Sequence, residues 1–496
     1  MPHSPRAHRP RPLRHGRGRA VPTATALAAL AALLLGAGLP PSAGPEGIGD
    51  RLFPELGNPG YHVAAYDISF DYHGNDRPLD AVTKIEARAT GRLEHFNLDF
   101  AGGTVRSVEV NGRQARFTPV KEDLAVVPAA PLPAGGRFTV VVRHTSEPRA
   151  GRDGGWVTTA DGLVMANQAD AAHRVFPCND HPSDKAPFTF RVTVPNGLTA
   201  VANGLPEGHV SSGATSTWTY RTRHPMATEV AQVAIGRSAV TRHTGPHALP
   251  LRDVVPAAQQ QALKQWTAKT SGQVSWLEQR VGAYPFENYG VLMADASTGF
   301  ELETQTLSLF ERSLFARTDI PAWYLESIMV HELSHQWFGD SLSPRTWSDL
   351  WLNEGHATWY EALYAQERGG RSLEDRMKLA YRQSDTWRAD GGPPALPKVP
   401  DPGRKISIFR PVVYDGGALV LYALRQRIGV PAFERLEREW SERHRDAVVS
   451  TADFVAEASR VAGQDLTGFL RPWLYDPVTP PMPGHPDWRA APRKPA

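Results

Sequence analysis

His331, Glu332 and His335 form a His-Glu-x-x-His run, and Glu354 follows within Trp351-Leu352-Asn353-Glu354-Gly355. Side chains four residues apart on a helix share one face about 6 Å apart along the axis, so both imidazoles can address one ion. Glu332 lies beside them, within reach of a water on that ion but not of the ion itself. Glu354, on a second helix, is placed to supply a third ligand. Two imidazoles and one carboxylate leave a fourth position open, the arrangement of a catalytic zinc rather than a structural one. Such a zinc lowers the pKa of its water towards about 7, and Glu332 can then take the proton and deliver it to a leaving group. With 18 histidines in 496 residues, chance alone puts such a run in roughly 3 per cent of chains. A surface helix carrying two idle histidines is therefore the weaker account. The expectation is one zinc per chain.

The flanks fit a helix. Pro321 suits a first turn, Leu325, Ile328 and Met329 give an apolar face, and Gly339 is a stop. Upstream, from Gly60 to about Ser238, the pattern is β-rich. Val63–Phe70, Val105–Val110 and Phe138–Val142 alternate, with turn signals such as Asn111-Gly112 after them. Phe188–Val194, Thr217–Tyr220 and Val230–Ile235 continue the series, which predicts a sandwich or saddle. The period changes near residue 255. Gln259–Val281 reads as one long helix, Tyr289–Met293 and Phe300–Leu307 as short strands, and 369–411 as a partly irregular, Pro-rich connection. Four closing helices are expected over Gly416–Ile428, Ala432–His444, Thr451–Val461 and Leu466–Leu474. The Pro-rich end reads as a mobile tail.

Net charge is only +2, with basic residues scattered through the body of the chain, so nothing supports nucleic-acid binding. Residues 1–45 run basic, then apolar, then small, the layout of a secretory signal peptide. The apolar run is too short for a comfortable membrane span, so secretion is expected, with anchoring by an uncleaved signal as the rival and no stable membrane insertion. The single cysteine, Cys178, has no internal partner and reads as a packed residue. His356, two residues after Glu354, points away from that ligand and reads as a non-ligand. Glu361 lies two turns beyond Glu354 on the same face, where it can orient a ligand histidine.

With these motifs in place, the chain resembles the aminopeptidase N family of gluzincins, from about residue 60 to 482. Phe176-Pro177-Cys178-Asn179-Asp180 with Lys185-Ala186, then Pro225-Met226 and Ala234-Ile235-Gly236, are similar to that family's β-domain marks. Tyr414-Asp415-Gly416-Gly417-Ala418 is similar to the segment holding its catalytic tyrosine, which implies that Tyr414 donates to the oxyanion. The family's Gly-x-Met-Glu-Asn, whose glutamate holds the substrate amine, has only a partial match in Gly299-Phe300-Glu301-Leu302-Glu303-Thr304. The resemblance implies Glu303 as that anchor, with Glu301 as rival; strand alternation would put Glu301, Glu303 and Gln305 on one face. Gln168, ten residues before Cys178, corresponds to the second amine contact.

Together with the leader and tail read from composition, the resemblance gives an expected α+β protein: a signal peptide (1–45), an N-terminal β-sandwich or saddle domain (46–245), a thermolysin-like catalytic domain with closing α-helices (246–480) and a flexible tail (481–496). It implies a secreted zinc aminopeptidase acting on peptides with a free N-terminus. The alternative is a catalytically altered relative, an epoxide hydrolase or a peptide-binding protein.

Overall fold

The computed structural model describes residues 47–148 and 154–491. The expected signal peptide lies outside the described residues.

The β region is built on long alternating strands. Tyr61–Asp71 buries every second side chain and pairs antiparallel with Leu79–Ala89, Tyr66 facing Ile85. On its other side it pairs in parallel with Phe188–Pro195. These three sit within an eight-stranded sheet that runs from Leu205–Ser212 at one edge to Arg113–Gln114 at the other. A four-stranded sheet, in the order Thr199–Ala202, Val233–Gly236, Leu163–Ala166 and Gly155–Thr158, shares its core. Aromatic rings fill the space between; Tyr66 stacks on Phe188 at 4.5 Å and Phe70 meets the Trp156 edge at 5.4 Å. Cys178 is buried in this core. The same core takes Val254, Leu292, Leu302, Leu307 and Leu309 from farther along the chain.

A second core gathers the helices around the His-Glu-x-x-His segment. Its sheet runs Ser238–Thr244, Pro250–Pro256, Val291–Ala294 and Ser308–Glu311; the first pair is antiparallel and the rest parallel. The two metal helices span Ala322–Ser334 and Trp351–Glu367. The four closing helices are Asp415–Ile428, Val430–Arg443, Thr451–Ala462 and Thr467–Tyr475. Ser450 caps the third through a capping box with Asp453. No helix among the described residues is long and apolar enough to cross a membrane.

Five expectations from the sequence need correction. The long helix divides into Gln260–Thr267 and Thr270–Val281; the Thr267 and Thr270 hydroxyls take the carbonyls of Lys264 and Thr267 where the axis would have continued. The strand expected from Tyr289 starts at Val291; Tyr289 itself makes only an isolated parallel bridge to Leu251, through bonds to Pro250 and Arg252. Phe300–Leu307 is not a strand. It is a tight turn, Thr306 at φ 67°, leading into Ser308–Glu311, and Leu302 makes a single bridge to Leu309. Beside bonds to the Leu309, Val230 and Thr304 backbone, side chains satisfy part of it: Asn203 donates to the Gln305 carbonyl and Gln336 to that of Glu303. Residues 373–391 form a 19-residue helix capped by Ser372, and irregular chain begins only with the prolines after Gly392.

The fifth correction concerns the tail. Residues 481–491 are docked, not mobile. Met482 and Trp488 are buried, Trp488 stacks on Tyr422 at 5.7 Å, and the Tyr422 hydroxyl meets His485 Nε2 at 2.9 Å. Proline content hid two large apolar anchors spaced to reach the helices at 373–391 and 415–428. Trp488→Ala is therefore expected to cost about 3 kcal/mol of stability. An unchanged denaturation midpoint in that variant would mean that the tail contributes no packing.

Candidate active site

His331 and His335 leave the first metal helix on its buried face, within the run Leu325, Met329, Val330 and Leu333. Each ring is fixed through its Nδ1. That of His331 meets Glu361 Oε2 at 3.1 Å, and that of His335 meets the Phe338 carbonyl at 3.1 Å. Both Nε2 atoms therefore turn inward, where Glu354 Oε2 lies 3.3 Å from His331 and 3.5 Å from His335. Ligand atoms of the three residues lie within 4.8 Å of one another. This donor set fits zinc: two neutral imidazoles oriented by partners behind them, and a buried carboxylate. Glu332 stands beside it, with an oxygen within 4.8 Å of donor atoms on His335 and Glu303.

Glycines set the approach of the other parts. Gly339 has φ 142°, and a Cβ there would come within 3.2 Å of His335 Nδ1. Gly355 lies against Gly417: a Cβ on either would sit 2.9 Å from the other's backbone. The second metal helix and Asp415–Ile428 thus touch backbone to backbone. That contact brings Tyr414, at the head of its helix, over the ligand set, its ring stacked on His331 at 6.0 Å. Burial, then the Glu354, Glu303 and Glu332 carboxylates, hold its phenol well above the usual range.

The carboxylates are not equivalent. Burial raises Glu332, Glu303 and Glu354 pushing the same way against His331 and His335. Burial raises Glu303 too. Glu354 lies below the usual range although burial opposes its charge, because His335 and His331 face it. Glu361 is also held low against burial, by Arg376 and then His331.

The structure brings Glu303 and Gln168 together: Gln168 Nε2 donates to Glu303 Oε1 at 2.9 Å. Glu301 turns elsewhere. Its carboxylate accepts from the Glu311 backbone at 2.7 Å rather than joining Gln168, although Glu332, after burial, also pushes it up. His356 donates from Nδ1 to the Leu352 carbonyl and stacks on Phe338, away from the three donors. Two contributors carried no sequence signal. Gln336 ties the Glu303 loop to the first metal helix through the Glu303 carbonyl and the Thr306 amide. Arg376, on the unexpected 373–391 helix, bridges Glu361 at 2.8 Å and Asp415 at 2.9 Å, linking the support of His331 to the residue after Tyr414.

A β-rich N-terminal region thus precedes a helical region that carries the His-Glu-x-x-His pair, a glutamate and a tyrosine over them, a donor set suited to zinc. Residues 269–473 match the peptidase family M1 domain and residues 163–230 the peptidase M1 N-terminal domain. The chain belongs to this family. It is 25% identical over 455 residues to aminopeptidase N of Streptomyces lividans, covering 83% of this chain and 50% of that protein. It is 24% identical over 388 residues to leukotriene A-4 hydrolase of Xenopus laevis, covering 72% and 61%. A mutant M1 zinc metallopeptidase of Deinococcus radiodurans, bound to the substrate Tyr-Ser-Ala, superposes with a TM-score of 0.77 at 27% identity over 89% of this chain and all of that one. The chain spans about half the length of the curated aminopeptidases it matches.

Proposed function

We propose that the protein is a zinc-dependent aminopeptidase that binds one zinc per chain through His331, His335 and Glu354 and removes the N-terminal residue of peptides. Its two domains are residues 46–245 and 246–480, and residues 1–45 direct its export. A bound zinc supplies Lewis acidity and a water of lowered pKa. Glu332 takes the proton from the attacking water and passes it to the departing amine. Tyr414, kept protonated, donates to the oxygen on which charge develops. The alternative of an epoxide hydrolase or a peptide-binding relative is not favoured over this reading, and the complete set of His331, Glu332, His335, Glu354 and Tyr414 speaks against a catalytically dead relative.

The observation that carries the exopeptidase reading is the Gln168–Glu303 pair beside the metal ligands. It offers a carboxylate and an amide oxygen to a protonated amine one residue from the scissile carbonyl, a charge-assisted contact. An N-acetylated peptide cannot make that contact. Peptides with free N-termini should be cleaved and their acetylated forms should survive, and Glu303→Ala should lower kcat/KM far more than Glu301→Ala. Internal cleavage of an acetylated peptide, or Glu301→Ala as the more harmful change, would overturn this reading.

Tyr414→Phe should lower kcat by about 10²-fold with KM little changed, since its contact strengthens in the transition state. A rise in KM alone would make the tyrosine a substrate-binding group instead. For export, N-terminal sequencing of protein recovered from the medium should begin near residue 46; a chain retained with residues 1–45 intact would refute it.

A further inference from the structure

A cavity of about 990 Å³ at the site is lined by Gln168, Phe300 and Tyr414. The strap 400–411, which includes a short 3-10 turn at Lys405–Ile408, contributes Ile406 and Phe409 to the lining. If Gln168 and Glu303 hold the amine, the space beside them receives the N-terminal residue and its side chain. That volume is several times what one side chain needs, so selectivity depends on how closely the strap is held.

The strap is braced within itself. Asp401 accepts from Arg410 at 2.8 Å, and its amide donates to Ser407 Oγ at 2.6 Å. Across the cleft it is fastened by charge. Lys405 Nζ lies 2.5 Å from Asp170 Oδ2 and 2.9 Å from Glu122 Oε2, both in the β region. Asp170 is almost fully buried, and it stands two residues after Gln168 on the same turn. One ion pair therefore joins the loop that holds the amine contact to the strap that runs on into Tyr414. Lys405 does not line the cavity and has no reacting atom to touch. Its ammonium can act only through the two segments it joins.

We propose that Lys405 is a positioning residue that determines specificity: by fastening the strap to Asp170 and Glu122, it sets the width of the pocket for the substrate's N-terminal side chain. This rests on the aminopeptidase reading. The charge-assisted bond to the buried Asp170 holds this end of the wall in register, and without it Ile406 is free to recede while Phe409 keeps its contact with Trp347 at 6.4 Å.

The test is a panel of aminoacyl-coumarins with the zinc-loaded full chain, comparing wild type with Lys405→Met, Lys405→Arg and the double variant Lys405→Met/Asp170→Asn. The double variant leaves no buried carboxylate unpaired, so it keeps the fold even if Lys405→Met alone does not. For the best substrates, loss of the pair should raise KM about tenfold while kcat stays within about twofold. The spread of kcat/KM across the panel should narrow, and Lys405→Arg should restore both, with zinc content unchanged throughout. A merely structural lysine would change stability but neither KM nor the spread. An active wild type whose KM and spread survive in the double variant would overturn the proposal, as would a fall in kcat at constant KM. A zinc-loaded wild type that cleaves none of the panel would instead overturn the aminopeptidase reading beneath it.

Discussion

His335→Ala loses metal and turnover together. The two imidazoles and Glu354 are the donors within 4.8 Å of one another, and all three are buried. Removing one leaves a histidine and a carboxylate, too few for a tight site of this kind. Zinc per chain, measured by elemental analysis after dialysis, should fall from one to near zero, and activity should fall to background. A variant that still held one tightly bound zinc would show that His335 is not a ligand.

Glu332→Gln separates binding from chemistry. Its carboxylate is not one of the three ligands, so zinc content should stay at one per chain. An amide of the same shape cannot accept the proton of the attacking water, and loss of a general base typically costs about 10²- to 10⁴-fold in kcat. KM should move little, because the side chain acts in the transition state rather than in binding. Substantial turnover in a zinc-replete Glu332→Gln would assign the base to another group, with Glu303 the nearest carboxylate to examine.

The site's ligands were readable in the sequence because helical spacing maps directly onto geometry. His331, His335 and Glu361 needed only the 3.6-residue period to be placed on their faces, and the structure puts Glu361 behind His331. The strands at 61–71 and 79–89 were legible for the matching reason, that a two-residue alternation fixes which face is buried. Where side chains replace part of the ladder, that logic fails. Nothing local in Phe300–Leu307 announces that Asn203 and Gln336, both distant in sequence, will satisfy part of its backbone. Arg376 and Lys405 were hidden for a similar reason. Each joins segments whose proximity exists only after folding. The helix at 373–391 escaped notice because the prolines that follow it coloured the whole stretch, although Ser372 and Asp375 mark its start.

The Gly355–Gly417 contact carries a consequence for how such an enzyme can diversify. The tyrosine reaches the metal ligands through two main chains in touch, with no side chain between them to trade for another. A mutation at either glycine finds no neighbour whose repacking could compensate, because a backbone cannot be exchanged residue for residue. The pocket wall is made the other way, from the side chains of a strap fastened across the cleft by Lys405, and side chains such as Ile406 can be exchanged one at a time. Selectivity in this molecule is therefore free to drift under selection, while the machinery that breaks the bond is held at a nearly fixed point.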